Sequence, residues 1–328
     1  MEARINYVMQ SKKYRAVKHL AWILIRSVFL IGFSFVILYP VISMVSKAFM
    51  QQIDLYDNSV LWIPKHFTLE NLQFAWWKMN FPVAFFKSFL FTTLGTVMQA
   101  AVCLMAGYSF ARFQFKLKGI FFVFVILSIL IPPQQILTPL YLHMVNFDFF
   151  GILTAITGSG INLTATYIPF FLVSLTGFGL RNGLFIFLFR QSFRGIPKET
   201  EEAALVDGAG QIRIFLQIML PSAISILVTV LLFSFVWQWN DTYYSSVLLP
   251  TERMLPQAFE LFNSYIKSHS DTSVIGGSFL QNYNMSDYKV WALLRNAGVL
   301  LVMFPLMIIY IVAQRYFVES IDRSGLVG

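Results

Sequence analysis

Few residues in this chain have the types and spacing that chemistry requires. Its four histidines, His19, His66, His143 and His269, are scattered, and the lone Cys103 lies inside an apolar run. No His-Glu-x-x-His zinc pattern, no Gly-x-Ser-x-Gly elbow and no Gly-x-x-x-x-Gly-Lys-Ser/Thr phosphate loop occurs. Metal-assisted hydrolysis, acyl transfer and nucleotide binding therefore all lack a candidate constellation. One cysteine also rules out a disulfide framework or a cysteine metal site within a single chain. Two polar stretches stand out instead, at 196–210 and at 237–244.

The first stretch reads Ile-Pro-Lys-Glu-Thr-Glu-Glu-Ala-Ala-Leu-Val-Asp-Gly-Ala-Gly. Pro197 suits a first helical position, and Glu199, Glu201 and Glu202 put negative charge at the positive end of a helix dipole. Gly208 and Gly210 offer the left-handed backbone that ends a helix. Residues 212–220 then return toward an apolar segment that Pro221 opens. The expected object is a helix, a glycine elbow and a second helix. Ala203, Ala204, Gly208 and Ala209 carry almost no side-chain bulk, so a partner can approach the backbone, and Glu202 offers an acceptor for a bidentate arginine. An amphipathic connector lying on lipid headgroups is the alternative from physics alone.

The second stretch holds Trp237, Gln238, Trp239, Asn240, Asp241, Tyr243 and Tyr244. Aromatic faces stack on sugar rings while amides and carboxylates bond hydroxyls, so these residues are candidates for lining a path for a polar solute. An interfacial aromatic belt or plain helix packing explains the same residue types. Lys87 and Arg26, each just inside an apolar segment, are expected to snorkel to an interface.

The elements that must position these residues are apolar helices. Of 328 residues, 57% are apolar and only 12% charged, against about 25% charged in an ordinary soluble domain. Several runs reach the roughly 20 residues a helix needs to cross about 30 Å of hydrocarbon. Lipid leaves helices as the way to satisfy their backbones, in the absence of barrel-like alternation. Six spans are expected, near 21–45, 84–109, 119–140, within 152–189, 223–237 and 291–312. The fourth carries Gly158, Gly160, Pro169, Gly177 and Gly179 and is expected to include a broken or re-entrant piece. The first span is too long for a signal-peptide core.

Basic residues set the orientation. Lys12, Lys13, Arg15 and Lys18, then Arg112, Lys116 and Lys118, then Arg190, Arg194, Lys198 and Arg213 mark cytoplasmic segments, so both termini are expected in the cytoplasm. Loops 51–82, 143–151 and 240–288 face the other side, and 251–288 could form a small cap. The net charge of +8 follows from that bias and does not argue for nucleic acid. An ion-coupled secondary transporter would bury Asp or Glu near midplane, and the expected spans hold essentially none.

Glu202-Ala203-Ala204, three residues, Gly208, nine residues, Ile218, one residue and Leu220-Pro221 resemble without a gap the EAA signature of bacterial ABC importer permeases. Ala106-Gly107-Tyr108-Ser109-Phe110-Ala111-Arg112-Phe113, Pro139-Leu140-Tyr141-Leu142, Trp239-Asn240-Asp241 and the tail from Gln314 resemble the carbohydrate branch, in particular its maltose-type smaller permease subunit. The resemblance implies an all-α polytopic type I importer domain in the bacterial inner membrane. It divides the chain into a cytoplasmic segment 1–20, a first span with outer loop 21–83, a transport core 84–316 with the EAA loop at 196–221, and a tail 317–328. It implies that Glu202, Ala203, Ala204, Asp207, Gly208, Ala209, Ile218, Leu220 and Pro221 form a coupling helix docked into an ATPase. Ser324, Gly325, Leu326, Val327 and Gly328 would reach between two such ATPase subunits. No cofactor is expected in this chain, with ATP and Mg held by the ATPase partners. A second permease in a heterodimer, an external binding protein, a sugar and membrane lipid complete the implied partners, and an importer for a non-sugar solute is the alternative. Residues 158–179 look like an insertion relative to the family.

Overall fold

The computed structural model of the protein describes residues 2–164, 166–177, 179–250, 252–268, 283–284 and 286–325, with side chains described outside 2–17 and 315–325. Among the described residues the regular structure is helical, with isolated bridges only at Met50–Phe67 and Phe147–Ile161. The helices are α1 (Glu2–Ala48), α2 (Glu70–Lys78), α3 (Phe81–Arg112), α4 (Lys118–Leu130), α5 (Pro133–Val145), α6 (Ile152–Thr157), α7 (Ile168–Thr176) and α8 (Asn182–Gly195). They continue with α9 (Lys198–Val206), α10 (Gln211–Ile214), a π turn (Phe215–Met219), α11 (Leu220–Ser222), α12 (Ile224–Trp239), α13 (Tyr243–Leu248), α14 (Leu255–Ser268) and α15 (Tyr288–Gly325).

Contacts divide the chain into two compact units, one of residues 1–75 with 266–300 and one of 76–265 with 301–328. In the first, the apolar stretch of α1 is almost wholly exposed, with Trp22 at 63% and Ile37 at 71%. Its end is tied down by Asn71, whose Nδ2 donates to the carbonyls of Ala48 and Met50 at 3.1 and 2.8 Å. The buried Asp54 carboxylate accepts the His66 backbone N–H at 3.0 Å and contacts the His66 ring at 2.7 Å.

In the second unit α3 is the central strut, packed against α7, α8 and α12, while α4 lies on α8 and α5 on α13. Glycine makes close approach of these helices possible. A Cβ on Gly107 of α3 would stand 2.4 Å from the Phe189 Cβ of α8. Around that contact Cys103, Leu104, Phe185, Phe189, Phe193, Ile214, Met219 and Val230 form a buried cluster.

Among the described residues three helices are long and apolar enough to cross a bilayer, 18–48 within α1, all of α3, and 288–314 within α15, or up to five if each of two bent pairs is one span. The third expected span is such a pair, because α4 and α5 meet at 107°. Pro132 and Pro133 supply no N–H there, and Ile131 before them is driven to extended backbone, φ −81° and ψ 120°. The fifth, expected at 223–237, is α12, which meets the preceding 211–222 segment at 74°. The fourth resolves into α6, α7 and α8. Gly158 and Gly177, at φ 80° and 81°, terminate the first two in left-handed conformation, which leaves α8 with 14 residues.

Candidate functional site

The 196–221 segment folds into an elbow. α9 starts at Lys198 with Glu199 and Glu201 in its first turn, and Pro197 caps it from outside rather than opening it. At its other end Gly208 N–H donates to Leu205 O at 3.0 Å and Ala209 N–H to Ala204 O at 2.9 Å. This paired closure is the Schellman arrangement, and it needs one left-handed residue, which is Gly208 at φ 78°. Gly210 does not share that role. Its backbone is extended, φ −70° and ψ 160°, because its carbonyl already accepts the Ile214 N–H at 3.0 Å and starts α10.

Glu202, Ala203, Asp207 and Gly208 are exposed, Ala204, Ala209, Ile218 and Leu220 are half-buried, and Pro221 is exposed. A Cβ added at Gly208 meets nothing within 4 Å, so the bend is open to an approaching surface. Sequence reasoning missed the apolar rim beside it. Val206 is 88% exposed and Ile212 77%, with Leu205 and Leu216 also exposed. The signal was available, since apolar side chains flanking a polar glycine turn have no core of their own to enter.

The elbow is fixed to the bundle by charge and by rings. Arg112, in the last turn of α3, brings Nε to 2.5 Å from Glu201 Oε1, and its Nη2 donates to Ile196 O at 2.7 Å. Tyr108, one turn earlier, packs its ring 5.3 Å from Phe193 of α8 and 4.9 Å from Phe215 of the π turn. These contacts join α9 and the π turn to α3 and to the end of α8.

Two cavities open around the second polar stretch. The larger, about 620 Å³, lies inside the α4–α5 bend and is lined by Gln134, Arg181, Asn182, Trp237, Asn240 and Tyr243 among others. The smaller, about 50 Å³, is lined by Gln99, Phe170, Gln238, Asp241 and Tyr244 among others. Much of the expected polar lining is already engaged. Gln238 Nε2 donates to Gln99 Oε1 and to Ser234 Oγ, both at 2.8 Å, and Ser234 Oγ donates to Gln99 Oε1 at 2.5 Å. Gln99 Nε2 in turn donates to Leu180 O at 2.6 Å and to Asn182 Oδ1. Asp241 accepts the backbone N–H groups of Tyr244 and Ser245 at the start of α13, and Asn240 Nδ2 turns back to Val236 O at 2.9 Å. Trp239 is 1% exposed, donates its Nε1–H to Val302 O at 3.2 Å and borders neither cavity. Both cavities are instead bordered by Asp241 and Tyr244, and only the larger by Trp237, Asn240 and Tyr243.

The residue that sequence reasoning overlooked is Arg181. It stands in left-handed backbone at φ 59°, its guanidinium 4.5 Å from the Trp237 ring centroid, and among the described residues no carboxylate pairs with it. Trp237 also stacks on Phe185 and Phe233 at 5.5 and 5.6 Å. A cation inside an otherwise apolar stretch was the available clue. Beside it, Asn182 is 4% exposed and its Nδ2 has no partner among the described residues.

Lys87 does more than snorkel. Its Nζ is 2.5 Å from Glu252 Oε2, while the Tyr167 hydroxyl donates to Glu252 Oε1 at 2.6 Å. Together they hold the Glu252 carboxyl below its usual range. In the expected tail, Ser324 and Gly325 end α15, whereas Leu326, Val327 and Gly328 lie outside the described residues, as do 251, 269–282 and 285 of the expected cap at 251–288.

Residues 103–323, more than half of the chain and the whole of the elbow, match the family described as binding-protein-dependent transport system inner membrane component. The chain belongs to this family. Among curated members of such transport systems, the probable ABC transporter permease YurM of Bacillus subtilis (strain 168) is 27% identical across 92% of this chain and 87% of its own. The probable starch degradation products permease AmyC of Thermoanaerobacterium thermosulfurigenes is 27% identical across 85% and 88%. The melibiose/raffinose/stachyose import permease MelC of Bacillus subtilis (strain 168) is 27% identical across 83% and 86%. A crystal structure of a bacterial ABC transporter that imports the acidic polysaccharide alginate contains a chain of the same fold, with TM-score 0.67 and 22% identity over 90% of this chain and 95% of that one. This inner membrane component is thus an all-α, membrane-spanning transport subunit.

Proposed function

We propose that this chain is one of two permease subunits of an ATP-driven sugar importer, and that its elbow is the part a separate ATPase grips. The observation that carries the reading is the elbow's construction: small and acidic side chains exposed around Gly208, an apolar rim beside them, and a rigid tie to α3 through Arg112 and Glu201. A helix resting on headgroups would have no use for an open left-handed bend at its outer surface. The ATPase partners would hold ATP and Mg, and the chain itself would hold no cofactor. A heterodimeric permease partner and an external binding protein complete the assembly, with both termini in the cytoplasm of a bacterial cell.

Sugar is favoured by the relatives, since AmyC and MelC are described for starch products and for melibiose, raffinose and stachyose. The 620 Å³ cavity fits that class, with amide, hydroxyl and guanidinium groups beside aromatic rings. The test is uptake of labelled oligosaccharide into proteoliposomes holding the complete assembly. Uptake requires ATP inside the vesicle-equivalent of the cytoplasm, and the purified chain alone hydrolyses none. ATP turnover by the chain without a copurifying subunit, or solute entry without ATP, contradicts the reading.

A further inference from the structure

A third cavity, about 520 Å³, sits beside the elbow, lined by the ends of α3, α4 and α8 and the start of α9. Its walls carry Lys118, Arg190, Arg194 and Lys198, with Glu199 as their carboxylate counterpart; Arg112 also lines it but is committed to Glu201. Arg190, Arg194 and Lys198 all repel the Lys118 ammonium, and Arg194 repels Arg190. The partners these cations have are neutral. Lys118 Nζ donates to Phe113 O at 2.7 Å, and the Arg190 guanidinium lies 3.8 Å from the Phe122 ring centroid. Among the described residues neither Arg194 nor Lys198 has an ion pair. Four like charges converging on one concavity are repulsive unless an anion enters.

We infer that this cavity binds the phosphate of an anionic membrane lipid. The depth of the site selects the lipid over a soluble anion. Three helices end or begin at the cavity, α3 at Arg112, α4 at Lys118 and α8 at Gly195; α3 and the α4–α5 pair are apolar enough to span, so it lies at the edge of the hydrocarbon, where headgroup phosphates stand. Within two turns of Lys118, about 1.5 Å per residue along the helix, Ile120, Phe121 and Phe124 are exposed. These offer acyl chains a surface that free phosphate cannot use. The general excess of basic residues on one side of membrane proteins does not require convergence, and Lys116 stays outside this cavity. Because the cavity shares Lys198 and Glu199 with the elbow, the bound headgroup would brace the segment that moves.

The test is native mass spectrometry of the detergent-purified assembly, incubated with equal amounts of dioleoyl phosphatidylglycerol and dioleoyl phosphatidylcholine. The wild-type assembly retains phosphatidylglycerol selectively. Arg194→Gln with Lys198→Gln lowers that retention about thirtyfold, from the loss of two charges near an anionic headgroup. Arg194→Lys with Lys198→Arg keeps it, and Lys116→Gln with Arg26→Gln leaves it unchanged. Equal retention of the two lipids, no loss in the double Gln variant, or an equal loss in the Lys116/Arg26 control would overturn the inference. Displacement of phosphatidylglycerol by millimolar inorganic phosphate would overturn it too, since the site would then serve a soluble anion.

Discussion

At the elbow, the groups that matter face outward: Glu202, Ala203, Asp207 and Gly208 are exposed, and one ion pair with one aromatic cluster holds the piece in place. Around the cavities the polar groups face inward and bond one another, with Gln99, Ser234 and Asn182 all at 4% exposure or less, although Asn182 Nδ2 has no partner among the described residues. The difference separates two kinds of work. An outward-facing, locally closed turn can be gripped without disturbing the bundle, whereas an inward network sets the position of α3, α8 and α12 and cannot be altered without moving them. The elbow should therefore respond to mutation in transport and spare folding, and the network should respond in stability.

The largest expected effect tests the first half. Gly208→Asp or Glu202→Lys should reduce uptake to background while membrane abundance, read by immunoblot, stays near wild type. A variant that imports normally would remove the elbow's role, and one that disappears from the membrane would erase the contrast. Next comes Arg112→Gln, which strips the partner from a Glu201 carboxylate that is only 18% exposed. Breaking such a pair costs about 3 kcal/mol, visible as a lower unfolding temperature of the purified assembly, and adding Glu201→Gln should recover much of it.

Gln99→Leu sharpens the other half. It leaves Ser234 and Gln238 without their shared acceptor and should cost about 2 kcal/mol of stability. The smallest effect is at Glu252. Its carboxyl is depressed in the folded protein, so the tie to Lys87 is complete above the ordinary glutamate value of 4.5 and is lost as pH falls through the lower folded value. Lys87 is 40% exposed, so the tie is worth at most about 1 kcal/mol. Comparing unfolding temperatures at about pH 7 and about pH 3, Glu252→Gln should flatten that part of the acid-side decline.

Why the elbow was legible in the sequence and the cavities were not follows from chain separation. Helix, cap and turn at 198–210 are built from bonds spanning five residues or fewer, such as Ala209 to Ala204, so residue type and spacing carry them. The network joins Gln99 to Asn182 and to Ser234 across 83 and 135 positions, and no local pattern announces it. By residue type Trp239 suits a solute path and helix packing alike, and the structure buries it at 1% exposure with its Nε1–H on Val302 O. The Pro132-Pro133 break was readable as chemistry, yet the surrounding apolar run resembled a single span. Arg181 was hidden by the glycine-rich stretch around it, where the left-handed turn that aims it at Trp237 has no glycine to mark it.

The central claim is that a motor protein holds the elbow. A single cysteine at Ala203, in a background with the buried Cys103 changed to Ala, carries a photoactivatable crosslinker in the intact assembly. The account predicts a crosslinked product containing the ATP-binding subunit, lost when Gly208→Asp is added. Labelling of lipid alone, with the ATP-binding subunit present and unmodified, would contradict it.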